Sequence, residues 1–436
     1  MGSASDEKSG CDLKVLFVTE SFPPVSYGGG EISCALLAEG LAEKGVDVTV
    51  LTSEGEGLKE TEIKNGVKIV RRLKTGERRD RLKENLKRRT LLKRSVKEEV
   101  PNISSDHDLI HFFNITSIAD VRTEKPTFAT INSYINFCPK GNLFYREESV
   151  CEGCRFTKFL GCITHSEYVG NLKMSKMLRY NPVFWIGLYL DYKKRNRCLN
   201  YVDHFFSLSG FISERLSEAG IERKNIVKVP NVPKIETSEK ELDLPDGRPL
   251  LAYIGALTKI KGVDLLISAF DKLDSEAKLV IVGDGPERKN LEKMAGENEN
   301  IVFLGEVEHD SIPSVYRRLD VIVVPSVWPE PLSRVLLEAA YFGKPIIATD
   351  VGGSPDVVKH GYNGFLVKPD TEDLKKKLEQ LIKDEDKIKD MEDNMIRYYK
   401  KELSKDKVVE KIMKVYTEKL RSRGVGSSEK NLKKIS

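Results

Sequence analysis

Lys14-Val15-Leu16-Phe17-Val18-Thr19 is a nearly continuous apolar run near the start of the sequence. Such a run is typical of a parallel β-strand that is buried on both faces. Apolar residues with helical spacing follow over Ile32 to Lys44, Gly45 is a helix stop, and a second strand is predicted over Val46 to Leu51. This β–loop–α–β order predicts the start of a doubly wound α/β sheet.

The alternation of strands and helices continues and then restarts after a polar interruption. The interruption, Lys234 to Arg248, is rich in charged and turn residues and predicts a linker. Strands are predicted on either side of it: Val67 to Val70, Leu109 to Phe113, Pro126 to Ile131 and His204 to Leu208 before, and Leu250 to Gly255, Ala277 to Val282, Ile301 to Leu304, Val321 to Val324 and Pro345 to Ala348 after. The pattern predicts two Rossmann-like α/β domains that face a central cleft.

The predicted boundaries divide the chain into six parts. These are a disordered lead (1–12), an N-terminal Rossmann-like domain (13–233), the linker (234–248), a C-terminal Rossmann-like domain (249–385), charged C-terminal helices (386–420) and a disordered tail (421–436).

Composition excludes several classes of protein. The chain has 436 residues, of which 40% are hydrophobic and 32% charged, with a net charge of +4. No run reaches the roughly 18–20 apolar residues that span a bilayer, and the polar N-terminus lacks the apolar region of a signal peptide. A cytoplasmic protein is therefore expected.

Two basic segments indicate a charged surface. Thirteen basic residues crowd between Arg71 and Lys97, and Lys173 to Arg197 mixes bases with large apolar residues. The first segment fits a solvated helix face, or a surface for anionic lipid headgroups or a phosphorylated acceptor. Nucleic acid is disfavoured because no aromatic residues interleave with the run. The second fits packing within the N-terminal domain or a membrane interface, so peripheral attachment to the inner face of the membrane is a hypothesis.

The segment Pro325 to Ala340 follows the strand predicted at Val321, so it lies at the carboxyl end of a strand, where ligands bind in open α/β sheets. Pro331 predicts the start of a helix and Gly343 its end. The N-terminus of that helix suits a diphosphate, because its N–H groups are unpaired and its dipole is positive there. Glu330 and Glu338 can then hold hydroxyls of the sugar and of the ribose, or they are ordinary surface carboxylates.

These motifs resemble the retaining glycosyltransferases of family 4, the group 1 family with the GT-B fold. The resemblance extends from about Lys14 to about Lys383. It rests on five motifs in order: Phe22-Pro23-Pro24 through Gly28-Gly29-Gly30-Glu31, Gly255 to Gly262, Gly283-Asp284-Gly285-Pro286-Glu287, Glu330-x7-Glu338, and Gly343-Lys344-Pro345 through Gly352-Gly353-Ser354-Pro355-Asp356.

The resemblance implies transfer of a hexosyl residue from a nucleoside diphosphate sugar to an acceptor hydroxyl, with retention and without a catalytic metal. Glycan, glycolipid or lipid-linked oligosaccharide synthesis is the implied setting. Glu330 would contact the donor sugar, Glu338 the ribose, and Lys261 the leaving diphosphate. The remaining donor residues would be backbone groups near Leu332, Ser333 and Arg334, close-packed glycines Gly28, Gly29 and Gly30, and Gly283 as a turn residue beside the site.

Two positions depart from the family pattern. Ala256 stands where the family often has an arginine, so Lys259 or Arg334 substitutes, or Lys261 acts alone. Asn132 stands where the family often has a histidine that hydrogen-bonds the donor sugar. Asn132 can make such a bond but cannot carry a proton charge. His111 is a weaker candidate for which a core role is favoured.

Four of the seven cysteines cluster as Cys138-x12-Cys151-x2-Cys154-x7-Cys162 within a predicted insertion, about 134–165. This spacing fits a tetrahedral structural zinc site, while free thiols and an iron–sulfur cluster or disulfides stay open. The resemblance also leaves two other functions open: a non-catalytic sugar-nucleotide-binding or scaffold protein, and a GT-B nucleotide-sugar epimerase.

Overall fold

A computed structural model of the chain describes residues 13–25, 29–75, 82–113, 115–166, 168–169, 172–235, 238, 240–247 and 249–423. Some predicted features lie outside these residues: the lead, most of the tail, and the residues Gly28, Arg78, Arg79 and Arg81. Within them no helix is long and apolar enough to cross a membrane.

The described strands alternate with helices along most of the chain, as the sequence predicts. The strands are β1 (Lys14–Val18), β2 (Asp47–Ser53), β3 (Thr61–Lys64), β4 (Val67–Leu73), β5 (Leu109–Phe113), β6 (Thr127–Ile131), β7 (Phe144–Tyr145), β8 (Ser149–Val150), β9 (Tyr168–Val169), β10 (Leu172–Lys173), β11 (His204–Ser207), β12 (Ile226–Lys228), β13 (Leu250–Ile254), β14 (Lys278–Val282), β15 (Ile301–Gly305), β16 (Val321–Val324), β17 (Ile346–Thr349) and β18 (Gly364–Val367).

The helices are α1 (Gly29–Glu43), α2 (Leu82–Ile103), α3 (Phe156–Ile163), α4 (Lys176–Arg179), α5 (Pro182–Cys198), α6 (Gly210–Glu218), α7 (Val263–Phe270), α8 (Arg288–Ala295), α9 (Ile312–Arg318), α10 (Arg334–Tyr341), α11 (Ser354–Val357), α12 (Thr371–Ile382), α13 (Glu385–Tyr398) and α14 (Lys405–Ser422).

The N-terminal sheet has the order β12-β11-β6-β5-β1-β2-β4-β3. Its pairings are parallel except for the antiparallel pair β3–β4. All five residues of β5 and of β6 are buried, as are four of five in β1, which is why these strands read as continuous apolar runs. Asn132 follows directly at the carboxyl end of β6.

The C-terminal sheet is parallel throughout, with the order β15-β14-β13-β16-β17-β18. The direction of winding reverses between β13 and β16, and ligands bind at such a switch point, beside the carboxyl ends of the strands. The loop at 255–262 follows β13 and the Pro325 segment follows β16. Topology therefore brings both predicted donor motifs to one edge of the sheet.

Two helices begin later or earlier than predicted. Helix α1 begins at Gly29 rather than Ile32, so Gly29 and Gly30 form its first turn instead of a loop. Helix α10 begins at Arg334 rather than Pro331, with Ser333 as its N-cap residue. The short strands β3, β12 and β18 were not predicted, because three or four residues give too little periodicity to recognise.

The last helix, α14, returns to the N-terminal domain. Its apolar stripe, formed by Val408, Val409, Ile412, Met413, Tyr416 and Leu420, is buried in the same core as β1 and α1. Tyr416 is fully buried, and its Oη lies 2.5 Å from Nδ1 of His111, whose Nε2 lies 2.8 Å from Oγ1 of Thr130. Burial lowers the pKa of His111 to about 3. His111 is a neutral core residue, as the favoured interpretation predicts.

Replacing Tyr416 with Phe removes the hydroxyl that partners Nδ1 of His111 and leaves a buried polar atom unsatisfied. We expect the variant to lose about 1–3 kcal/mol of unfolding free energy. The measurement is the urea unfolding midpoint. Tyr362→Phe is the control, since Tyr362 is 43% exposed and its change should stay within about 0.5 kcal/mol. Equal midpoints for both variants would contradict the assigned role.

Candidate active site

A cavity of about 570 Å³ lies at the switch point of the C-terminal sheet. Both domains and the linker contribute to it, since Ile32 of α1 and the linker residues Lys234 and Ile235 are in its wall. The other lining residues are Ile254, Gly255, Ala256, Val282, Gly283, Asp284, Glu306, Val307, His309, Ile312, Pro313, Tyr316, Arg334, Val335, Glu338 and Phe342. Its volume lies within the range of about 300–1,000 Å³ that is typical of small-molecule sites.

Glu338 is the principal carboxylate of this cavity. It lies one turn inside α10, and its side chain is 17% exposed. The hydroxyl of Tyr316 donates to it at 3.1 Å, and Nη2 of Arg334 lies at 3.4 Å. Burial is the largest influence on Glu338 and raises its pKa, against the opposing charge of Arg334. A carboxylate in this setting can accept hydrogen bonds from ligand hydroxyls.

Lys261 and Glu330 form an ion pair at the adjoining loops. Nζ of Lys261 lies 2.7 Å from Oε1 of Glu330, and the hydroxyl of Ser326 donates to the same oxygen. The two side chains are 24% and 13% exposed. Their loops are joined by a backbone hydrogen bond from Val327 N–H to the carbonyl of Ile260, 3.0 Å long. Neither residue is in the wall of the 570 Å³ cavity, which distinguishes their place from that of Glu338.

The N-termini of α1 and α10 meet between the two domains. A Cβ atom at Gly29 would stand 2.8 Å from Cδ of Arg334, the first residue of α10. A Cβ at Gly30 would stand 2.6 Å from Nδ2 of Asn132. The N-cap residue of α10, Ser333, makes no side-chain capping bond. Two positive helix ends and the Arg334 guanidinium thus lie together, which is a suitable arrangement for an anion.

An aromatic contact joins the segment after β6 to the loop that follows β16. Tyr134 is fully buried, and its ring packs edge-on against Trp328 with centroids 6.2 Å apart. Burial raises the pKa of Tyr134 well above its usual value, and the nearby charge of Glu330 contributes. Burial and then Glu330 likewise raise the pKa of Tyr253. The carboxylate of Glu330 therefore lies among the side chains that close the interdomain contact.

The other predicted donor residues take different places. Gly283 and Ala256 line the cavity, whereas Lys259 is exposed in a short 3₁₀ turn and is absent from the cavity wall. The side chain of Leu332 is buried in the hydrophobic core, so only its backbone can face a ligand. The sequence analysis missed Tyr316, which stacks on Phe342 with centroids 5.0 Å apart, and Glu306, which follows the carboxyl end of β15. Position after a strand end was the signal for Glu306.

A second cavity, of about 560 Å³, lies in the N-terminal domain near the carboxyl ends of β1, β2 and β4. Arg71 and Arg88 line it and are buried. Arg71 pairs with Glu62 at 2.7 Å, and Arg88 pairs with Glu20. Burial lowers the pKa of Arg88. The basic run is therefore not a uniform solvated face, since two of its members are buried in ion pairs.

The four predicted metal ligands also come together. Cys138, Cys151, Cys154 and Cys162 line one small cavity of about 20 Å³, remote in sequence from the donor motifs. In the described part of the chain, no group of three or more His, Cys, Asp or Glu side chains is placed so that it could hold a metal ion. The thiols thus share a cavity without meeting at a common centre.

Comparison with known proteins links both halves of the chain to one class of enzyme. A family model of glycosyl transferases group 1 matches residues 234–402, and one of glycosyltransferase family 4 matches 27–232. An uncharacterized glycosyltransferase of Methanocaldococcus jannaschii is 28% identical over 385 residues, which make up 83% of this chain and 86% of that protein.

Two solved structures resemble the fold over nearly the whole chain. A sucrose-phosphate synthase from Thermosynechococcus elongatus has a TM-score of 0.67 at 16% identity, covering 94% of this chain and 100% of that one. Anabaena HepE in complex with UDP-glucose has a TM-score of 0.60 at 17% identity, covering 93% and 100%. At these low identities the likeness shows the fold alone.

Replacing Gly352 with Ala tests how the Glu330 loop is held. A Cβ at Gly352 would stand 2.2 Å from the carbonyl oxygen of Glu330. The control is Gly361→Ala, which has a similarly positive φ (78° against 56°) but no atom within 4 Å of the added Cβ. We expect Gly352→Ala to lose about 1–3 kcal/mol more unfolding free energy than the control. Equal losses in urea unfolding would mean that the contact does not constrain the loop.

Proposed function

We propose that this chain, which belongs to the group 1 glycosyltransferases and has the GT-B fold, transfers a hexosyl residue from a nucleoside diphosphate sugar to an acceptor hydroxyl with retention. The acceptor is a cell-surface glycan, a glycolipid or a lipid-linked oligosaccharide. The nucleotide sugar binds to the C-terminal domain and the acceptor to the N-terminal domain. A protein that only binds the sugar nucleotide is the contrasting function, and the experiment below separates the two.

The observation that carries the proposal is the meeting of α1 and α10 at Arg334. Two helix N-termini and a guanidinium around one position suit a group with two negative charges, such as a diphosphate. The adjacent cavity has room for a nucleoside, and Glu338 in its wall can accept hydrogen bonds from the ribose hydroxyls. HepE, whose fold is similar, has been solved with UDP-glucose, which supports a donor of this class.

The remaining polar groups have roles that follow from their positions. Glu330 accepts hydrogen bonds from hydroxyls of the donor sugar. Lys261, paired with Glu330 at 2.7 Å, stabilises the charge that develops on the leaving diphosphate. With Ala256 in place of the usual arginine, Arg334 supplies the second cation, since it contacts α1 while Lys259 is exposed outside the cavity wall. Asn132 donates a hydrogen bond to the sugar from the opposite domain.

The acceptor site we assign is the 560 Å³ cavity of the N-terminal domain. Its wall carries both signs of charge, since Arg71, Lys74 and Arg88 face Glu20, Glu54 and Glu56. A mixture of donors and acceptors suits a ligand rich in hydroxyl groups.

An exposed apolar surface on α4 and α5 supports attachment of the enzyme to an anionic membrane. Val183, Ile186 and Leu190 lie on one face of α5 and are 50–80% exposed, and Met177 on α4 is 79% exposed. The opposite face of α5 packs into the domain through Leu188 and Tyr192, as the packing interpretation predicts, and this leaves the other face exposed for a membrane. Basic residues flank the exposed surface: Lys176, Arg179, Lys193, Lys194 and Arg197. This combination is typical of helices that lie in a membrane interface.

Glu330→Gln and Lys261→Ala test catalysis. We expect each to lower kcat by about 100- to 1,000-fold, because Lys261 stabilises charge on the leaving diphosphate and Glu330 holds Lys261 and the donor sugar in position. The exposed pair Lys272–Glu372, 2.6 Å apart, provides the matched controls Lys272→Ala and Glu372→Gln, which should keep full activity. The donor is first identified by thermal shift with a panel of nucleoside diphosphate sugars. Stabilisation by a donor without turnover in the wild type would favour the binding protein, and no stabilisation by any donor would overturn both.

Val183→Ser/Ile186→Ser tests membrane attachment. The measurement is co-sedimentation with vesicles containing an anionic phospholipid. We expect the double variant to bind at least several-fold less than the wild type, because each replacement removes apolar area from the interface. Ile63→Ser is the control, since Ile63 is 77% exposed on β3. Binding that is unchanged in the double variant, or equal for neutral vesicles, would refute attachment through this surface.

A further inference from the structure

The four cysteines of the insertion surround a single enclosed space. Cys138 precedes the β7–β8 hairpin, Cys151 and Cys154 follow it directly, and Cys162 lies in α3. All four line a cavity of about 20 Å³. One water-sized sphere requires about 10–15 Å³, so the cavity can hold one ion but not a cluster of several iron and sulfur atoms.

The surroundings of the cavity shield it from solvent. Cys138, Cys151 and Cys162 are buried, between 6% and 8% exposed, and Phe144 and Phe159 are in the cavity wall. An apolar shell of this kind limits the access of water to a bound ion.

Tyr134, Phe137 and Leu143 pack in the main hydrophobic core, but the rest of the insertion has only a small core of its own. Strands β7 and β8 are two residues each, and such a hairpin is marginal alone. The associated apolar cluster has only five buried members: Phe159, Ile163, Val169, Met174 and Leu188. Small units with so little core are usually stabilised by disulfides or a metal ion.

We propose that Cys138, Cys151, Cys154 and Cys162 bind one zinc ion. Four thiolates favour a soft, tetrahedral ion, and the size of the cavity favours a single one. The four cysteines line one cavity but are not placed as a ligand set, so binding requires their short side chains to turn towards a common centre. Binding releases the four thiol protons to solvent and changes no oxidation state.

The ion holds the insertion in place beside Asn132 and takes no part in the reaction. Four thiolates leave no open coordination position for a substrate. The insertion begins just after Asn132, and Tyr134 within it packs against Trp328 of the loop that follows β16. A fixed insertion therefore keeps Asn132 and Tyr134 against the opposite domain.

The test is elemental analysis of protein purified in reductant after growth with added zinc. We expect about one zinc per chain in the wild type, a loss of most of it in Cys154→Ser, and full retention in Cys198→Ser, whose thiol is also half-buried but lies on α5. Co²⁺ added to chelator-treated wild type should give the visible absorption of tetrahedral thiolate coordination.

A second measurement covers the case in which Cys154→Ser fails to fold. A thiol-modifying mercurial added to the wild type should release the zinc while a colour reagent quantifies it, and removal of the ion should lower the melting temperature. Wild type that contains no zinc and gives no Co²⁺ absorption would overturn the proposal, as would disulfides among these cysteines found by mass spectrometry. None of these readouts depends on turnover, so they are independent of the proposed function.

Discussion

The convergence of two helix N-termini from different domains is the constraint on which the candidate site depends. Helices α1 and α10 each direct a positive end at the interdomain space, and Arg334 adds a full charge there. Like ends of helix dipoles repel each other, and a bound anion turns that repulsion into attraction for both domains. The carboxyl-end edges of the two sheets place these helices, so the arrangement follows from topology before any single side chain contributes.

Backbone contacts then determine where the side chains of Lys261 and Glu330 lie. The bond from Val327 to Ile260 joins the loops after β16 and β13, and this brings Lys261 to Glu330. Because the pair is held by main-chain atoms, its geometry is less sensitive to surface changes than that of a pair on two flexible loops. Arg334 belongs to a helix end and lines the cavity, whereas Lys259 is exposed and lies outside the cavity wall.

Much of the fold could be predicted because buried parallel strands leave continuous apolar runs, and the family resemblance and GT-B fold are confirmed. The short strands β3, β12 and β18 give no such signal. The start of α1 was predicted at Ile32, three residues too late, because glycine is a poor helix former. Tertiary contact with Arg334 overrides that preference at Gly29. The burial of Arg71 and Arg88 could not be predicted from the sequence, because their partners Glu62 and Glu20 lie on other elements. The place of the linker residues Lys234 and Ile235 in the cavity wall could not be predicted either, because contacts between distant parts of the chain leave no local sequence pattern.

The return of α14 to the N-terminal domain affects how the chain is made. The first sheet is complete in sequence at Lys228, yet part of the core beside it is supplied by residues from Lys405 onward. At about 5–20 residues per second, the ribosome adds that helix roughly 10–40 s after the sheet is synthesised. During this interval His111, Phe128 and Phe206 lack the covering that Tyr416 provides. The nascent N-terminal domain therefore exposes apolar surface until α14 has been synthesised.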